Sequence, residues 1–170
     1  MFIMVNETAR ININNILERA IDIGQRMLVT GAEVTRVERT ITFICRAYGV
    51  RHVDVMVITT SIIVTLRGND IGVITQMRRV PGQNFDFQRL KALNQLSREI
   101  CANPIPSDEI KARIHAIDTM ETISLKASLF YWALIAASFS AFFGGRLEDA
   151  VCAGVVGVFL RLLQYLLGQT

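Results

Sequence analysis

Residues 127–168 read ASLFYWALIAASFSAFFGGRLEDAVCAGVVGVFLRLLQYLLG, and this stretch decides the architecture. Its first 19 residues, 127–145, carry no charge. As a helix rising 1.5 Å per residue they would cover about 28 Å, close to the hydrocarbon thickness of a bilayer. Arg146-Leu147-Glu148-Asp149 interrupts, and 150–168 gives a second apolar segment broken only by Arg161. A core hairpin of a soluble protein would need neither these lengths nor so short a polar link, so the pattern predicts an antiparallel transmembrane hairpin. Phe130, Tyr131 and Trp132 at one end of the first span, and Phe142 and Phe143 at the other, suit the two interfacial aromatic belts.

Working outward, Lys111, Arg113 and Lys126 precede the first span, against a lone Arg146 in the link. Positive charge collects on the cytoplasmic side, which predicts a multi-pass protein of the cell (cytoplasmic) membrane with the preceding domain and both chain ends in the cytoplasm. Helical spacing aligns Ala133, Ala137, Ser140, Ala141 and Gly144 in the first span. In the second, Ala150, Ala153, Gly154, Gly157, Arg161, Gln164 and Gly168 share one face, opposite Val151, Val155, Phe159, Leu162 and Leu166. Small residues let helix backbones approach closely in lipid, so these two faces are expected to pack. Arg161 stands apart, because a charge within a span costs at least about 2.5 kcal/mol on insertion scales. Two roles are open to it. About 10 Å from the end of the span, it could reach the cytoplasmic interface. With Gln164 one turn further on, it could instead face a protein-lined path and attract a substrate carboxylate.

Residues 1–126 hold 16 of the 18 Lys and Arg and 13 of the 15 Asp and Glu, so the net charge of +3 belongs to this part. Its basic residues alternate with acids and never run longer than Arg78-Arg79, which argues against nucleic acid and leaves anionic lipid headgroups as the nearer partner. Helical spacing over 8–30 and 33–48 predicts two amphipathic helices, with Gly31 and Gly49 as their stops. VDVMVITTSIIVTL, 53–66, is rich in β-branched residues and divides near Thr59-Thr60-Ser61 into two strands. The cluster Arg67-Gly68-Asn69-Asp70 predicts a turn into a third strand, 71–80, stopped by Pro81-Gly82. Asp86 is placed to cap a helix running through Ile100, and Ser107, Asp108 and Glu109 open another after Asn103-Pro104-Ile105-Pro106. The fold class expected is α+β: two helices, a small antiparallel sheet of about three strands and two helices over 1–120, then the hairpin over 121–170.

Catalytic motifs are absent from the sequence. Neither GxGxxG nor GxxxxGK[ST] occurs, which argues against nucleotide hydrolysis, and Ser61 lacks the GxSxG setting of a nucleophile elbow. His52 and His115 have no HExxH or cysteine partners, and Cys45, Cys101 and Cys152 show no CxxC spacing, so no metal or other cofactor is expected. Single cysteines fit a reducing compartment. Glu33 and Glu38 could serve as an acid/base pair only if burial or Arg36 tuned them apart, and a solvated ion-pair face is the simpler reading.

GAEVTRVERTI at 31–41, AYGVRHVDVMVITTSIIVTL at 47–66, MRRV at 77–80 and LNQLSREI at 93–100, followed by the apolar hairpin, resemble the threonine/serine exporter family over nearly the whole chain. The resemblance implies transport of hydroxy amino acids, or of dicarboxylates such as succinate in related members, and a soluble domain that has been viewed as hydrolase-like. It makes Glu33, Arg36, Glu38, Asp54, Thr59, Arg78, Arg79, Asn94 and Arg98 candidates for a functional surface of the soluble domain. Family members usually carry more membrane helices than two, which implies a fragment, a homo-oligomer or a second membrane subunit. The leading expectation is a subunit or N-terminal portion of an exporter of small carboxylate metabolites, with Arg161 and Gln164 binding substrate. The alternatives are a membrane-anchored hydrolase using Glu33, Glu38 or Asp54, and a cytoplasmic metabolite sensor.

Overall fold

A computed structural model describes residues 2–68, 71–121 and 123–167, with side chains from residue 10 onward. The chain divides into two units, Met1–Met120 and Glu121–Thr170.

In the first unit α1 (Phe2–Val29) and α2 (Val34–Ala47) precede β1 (His52–Ile58), β2 (Ser61–Gly68) and β3 (Gly72–Arg79), and α3 (Phe87–Ala102) and α4 (Ser107–Asp118) follow. The α+β class expected from the sequence is therefore what folds. The strands form one antiparallel sheet in the order β1-β2-β3, with Thr59 and Thr60 as the two-residue turn between Ile58 and Ser61. Of the turn expected after β2, Asn69 and Asp70 lie outside the described residues.

Register follows from alternation, since neighbouring residues on a strand face opposite ways. Val57 lies beside Ile62, Val55 beside Val64 and Val53 beside Leu66, and this row faces the helices. Leu17, Ile21 and Leu28 of α1, Ile41 and Ile44 of α2, Leu93 and Ile100 of α3 and Ile110 of α4 complete the core. The opposite sheet face carries Met56, Met77 and Val73, all exposed.

Long-range polar contacts fix the helices around this core. Arg26 of α1 grips Asp118 at the end of α4 in a fork, Nε to Oδ1 at 2.9 Å and Nη2 to Oδ2 at 2.8 Å. Such bidentate pairing raises the guanidinium pKa further above its ordinary value, through the Asp118 hydrogen bond first. Gln76 of β3 donates to Asn14 of α1 at 2.8 Å. At the end of α1, Gly31 has φ +100, and a Cβ there would lie 2.5 Å from the Phe85 ring. Only glycine tolerates both conditions, and they let segment 84–86 bond back to α1 through Asn84 N to Val29 O and Asp86 N to Thr30 O.

Asp86 caps α3 as expected, accepting from the Gln88 and Arg89 amides at 3.1 and 3.0 Å. Replacing it, Asp86→Ala, is expected to cost about 1 kcal/mol, and Asp86→Asn much less. Equilibrium denaturation of the detergent-solubilised chain followed by circular dichroism checks this. The Cys45 thiol is fully buried, and burial pushes its pKa up to about 12. A thiol whose folded pKa exceeds its unfolded one favours the fold below the unfolded pKa and loses that contribution as pH rises toward the folded one. Burial raises the Cys101 thiol pKa as well, but Cys101 is exposed, so at pH 8 iodoacetamide should modify Cys101 in the folded chain and Cys45 only after denaturant is added, as peptide mass mapping would show.

Candidate functional site

The second unit is a hairpin of α5 (Leu125–Phe142) and α6 (Leu147–Leu166). Ser124 caps α5, accepting from the Ala127 amide at 3.4 Å, and Asp149 bonds back to the Arg146 amide at 2.8 Å to start α6. The helices begin a little earlier and end a little earlier than the segments expected at 127–145 and 150–168. Polar caps flank the apolar residues, and Gly144, with φ +86, turns the chain after Phe142.

Both helices are long and apolar enough to cross a membrane. Their burial is the reverse of a soluble core: no residue of α5 is buried, and only Gly154 and Gly157 of α6 are. These two glycines form the seam. A Cβ on Gly157 would stand 2.7 Å from the Trp132 carbonyl oxygen and 3.0 Å from Ala136 Cβ; one on Gly154 would stand 3.8 Å from Ala137 Cβ. The small face read from the sequence is this seam. Ala150, Ala153, Arg161 and Gln164 lie half-buried along it, and Val151, Val155, Phe159, Leu162 and Leu166 point outward. Gly168 lies outside the described residues. On α5, Ala133, Ala137 and Ser140 share the seam with Ala136, whereas Ala141 and Gly144 are exposed because the helix is already ending there.

One side-chain hydrogen bond crosses the hairpin among the described residues. Arg161 Nε donates to Ser128 Oγ at 2.8 Å. Ser128 is the fourth residue of α5, about 4.5 Å along the axis from its start, so the guanidinium lies toward the Lys126 end of the hairpin rather than at its middle. No carboxylate pairs with Arg161 among the described residues, and its terminal nitrogens are not used in that bond. Ser128 was missed in the sequence. The signal was there: once Gly157 is set against Trp132, antiparallel helices place residue 161 opposite 128.

In the first unit the nine candidates do not converge. Arg36, Asn94 and Arg98 line one shallow groove between α2 and α3, with Lys91. Glu38 and Asp54 line another between α2 and β1. Glu38 Oε1 accepts from the Val57 amide at 3.0 Å, closing the free edge of the sheet, and Asp54 faces Arg67 at 3.6 Å. Glu33 stands exposed just before α2, about 140° around the helix from Glu38, so the two share no face. Thr59 sits exposed in the β1–β2 turn. Arg78 lies on the inner sheet face beside Asp22 of α1 at 3.5 Å, and the Arg79 carbonyl accepts from Gln25 at 2.7 Å. Asn94 donates to the Leu90 carbonyl one turn back at 2.8 Å.

An α+β domain joined to an apolar, glycine-seamed hairpin is the build of a membrane protein with a sizeable extramembrane part. The family model described as "Putative threonine/serine exporter" (ThrE) matches residues 18–170, and the chain belongs to that family. Membership in a family described as exporters points to transport as the class of activity. Neither a search of curated proteins nor one of solved structures returned a match.

The seam makes a direct prediction. A Cβ separation of 3.8 Å is the mean for disulfides, so Ala137→Cys with Gly154→Cys, in a Cys152→Ala chain, should form an intrachain bond under mild oxidation. Adding Gly157→Leu should suppress it, since overpacking against the Trp132 carbonyl costs on the order of 1–3 kcal/mol. Protection from maleimide-polyethylene glycol gel shift reads both outcomes.

Proposed function

We propose that this chain is a subunit or N-terminal portion of an exporter of threonine and serine or of a small dicarboxylate such as succinate. In this reading α5 and α6 cross the cell membrane, the first unit faces the cytoplasm, and Arg161 receives a substrate carboxylate. The observation that carries it is Arg161, a cation within an apolar span and without a carboxylate partner among the described residues, on the glycine seam of the hairpin in an exporter-family chain. Ser128 holds the guanidinium by Nε, which leaves the terminal nitrogens to bind a carboxylate in a two-point contact. Gln164, one turn further along α6, supplies an amide for the amino or second carboxyl group.

Arg161 near the Lys126 end would act at the mouth of a pathway, as a first contact for substrate coming from the cytoplasm. Two helices cannot enclose a polar pathway, so further helices complete it, from the rest of a longer chain, from additional copies or from a second membrane subunit. No cofactor or metal enters this scheme. An ion gradient or the substrate's own gradient drives it.

Export from substrate-loaded cells carrying the complete assembly provides the test. A charge-assisted hydrogen bond is worth about 1.5–3 kcal/mol, so Arg161→Gln and Arg161→Leu should lower flux by roughly 10- to 100-fold at equal membrane abundance. Arg161→Lys should retain part of it, and Ser128→Ala should lose a few-fold through looser positioning. Undiminished flux in Arg161→Leu would remove this arginine from the mechanism.

A further inference from the structure

The basic residues of the first unit are not evenly spread once folded. Arg36, Arg39, Phe43 and Arg46 fall within about 80° of the α2 circumference, on the side away from the buried Val37, Ile41, Ile44 and Cys45. Across the groove that α2 makes with α3 stand Lys91 and Arg98, with Phe87 beside them. Phe43 and Phe87 are 54% and 71% exposed, so two aromatic rings project from among five cations.

None of the five cations makes an ion pair among the described residues, whereas Arg19, Arg26, Arg67, Arg78, Arg89 and Arg113 each face a carboxylate; the other cations without one, Arg10, Arg51, Arg79 and Lys111, are scattered over α1, the α2–β1 loop, β3 and α4. Glu38 and Asp54 line the α2–β1 groove together with Arg39, Phe43 and Arg46, but Glu38 accepts from the Val57 amide and Asp54 faces Arg67. Glu33 stands at the opening of α2. A patch of unneutralised guanidinium and ammonium groups with protruding aromatic rings matches an anionic lipid surface. Each cation gains from the headgroup charge, and rings sit well at headgroup depth.

We propose that this surface, the outer side of α2 continued across the groove by α3, docks on anionic headgroups of the bilayer that holds the hairpin. The inference rests on the hairpin being in lipid. Only residues 119–124 separate α4 from α5, and six residues reach no more than about 21 Å. That tether confines the domain to the membrane surface, where even weak headgroup contacts are populated because they are intramolecular. Docking would set the orientation of the domain at the bilayer surface, and the lipid composition of the leaflet would tune transport.

The full chain, with Cys101→Ser and Cys152→Ala, is spin-labelled at Phe43→Cys and placed in nanodiscs. The discs hold phosphatidylcholine alone or phosphatidylcholine mixed with phosphatidylglycerol. The label's accessibility to oxygen relative to a water-soluble nickel chelate reports insertion. The ratio should rise in the anionic discs, fall back at high salt, and lose about fivefold in bound-to-free population for each cation changed to glutamine. The set Arg36→Lys, Arg39→Lys, Arg46→Lys and Arg98→Lys keeps the charge and should keep the response. The same ratio in both lipids, or a rise that survives neutralisation of all five cations, would overturn the proposal. So would reversal by glycerol phosphate at concentrations where sodium chloride has no effect, which would make the face a site for free phosphate. Failure of the hairpin reading is separate and visible: the chain would not enter discs of either composition.

Discussion

Backbone against backbone is the contact on which the second unit depends. Gly157 meets the Trp132 carbonyl so closely that no side chain fits between them. Two apolar helices in lipid gain nothing from hiding hydrocarbon from each other, and must associate through close packing. Gly154 and Gly157 provide it, and the large residues are thereby turned outward. The same register brings residue 161 opposite residue 128, so the one cation in α6 meets a hydroxyl instead of hydrocarbon. Packing, outward apolarity and the position of the cation are three consequences of one seam.

The first unit is organised by another means. Its core is drawn from both ends of the unit's sequence, α1 and α4 included, and the Arg26–Asp118 fork joins residues 92 positions apart. Polar side chains there mostly serve the fold: Glu38 closes a strand edge, Arg78 meets Asp22, and Gln76 reaches Asn14. Of the cations left without an ion pair among the described residues of this unit, Arg36, Arg39, Arg46, Lys91 and Arg98 lie on α2 and α3, and Arg10, Arg51, Arg79 and Lys111 lie elsewhere. A family defined by export therefore has, in this chain, a domain whose spare charge is cationic and whose tether to the hairpin is short.

Much of the fold was legible in the sequence because its signals are local. The β-branched run 53–66, the Thr59-Thr60 break, Asp86 before an amphipathic stretch and the uncharged run 127–145 each specify structure within a few residues. The small face of α6 could be read at 100° per residue and folded as expected, whereas Ala141 and Gly144 failed because helix termination overrides face periodicity. Site geometry was much less legible. Motif likeness marked Glu33, Arg36, Glu38, Asp54, Thr59, Arg78, Arg79, Asn94 and Arg98 together, but strand register and helix packing send them to separate places. Sequence proximity cannot reveal that Glu38 is consumed by a sheet edge, or that Lys91 stands across a groove from Arg36.

The whole account requires that residues 125–167 lie in a bilayer as an antiparallel pair. Alkaline carbonate extraction of membranes from cells expressing the full chain measures this most directly, because high pH strips proteins held by charge and leaves those held by apolar spans. The account predicts that the chain stays wholly in the membrane pellet. Its release into the supernatant as a dispersed, folded protein would contradict the account.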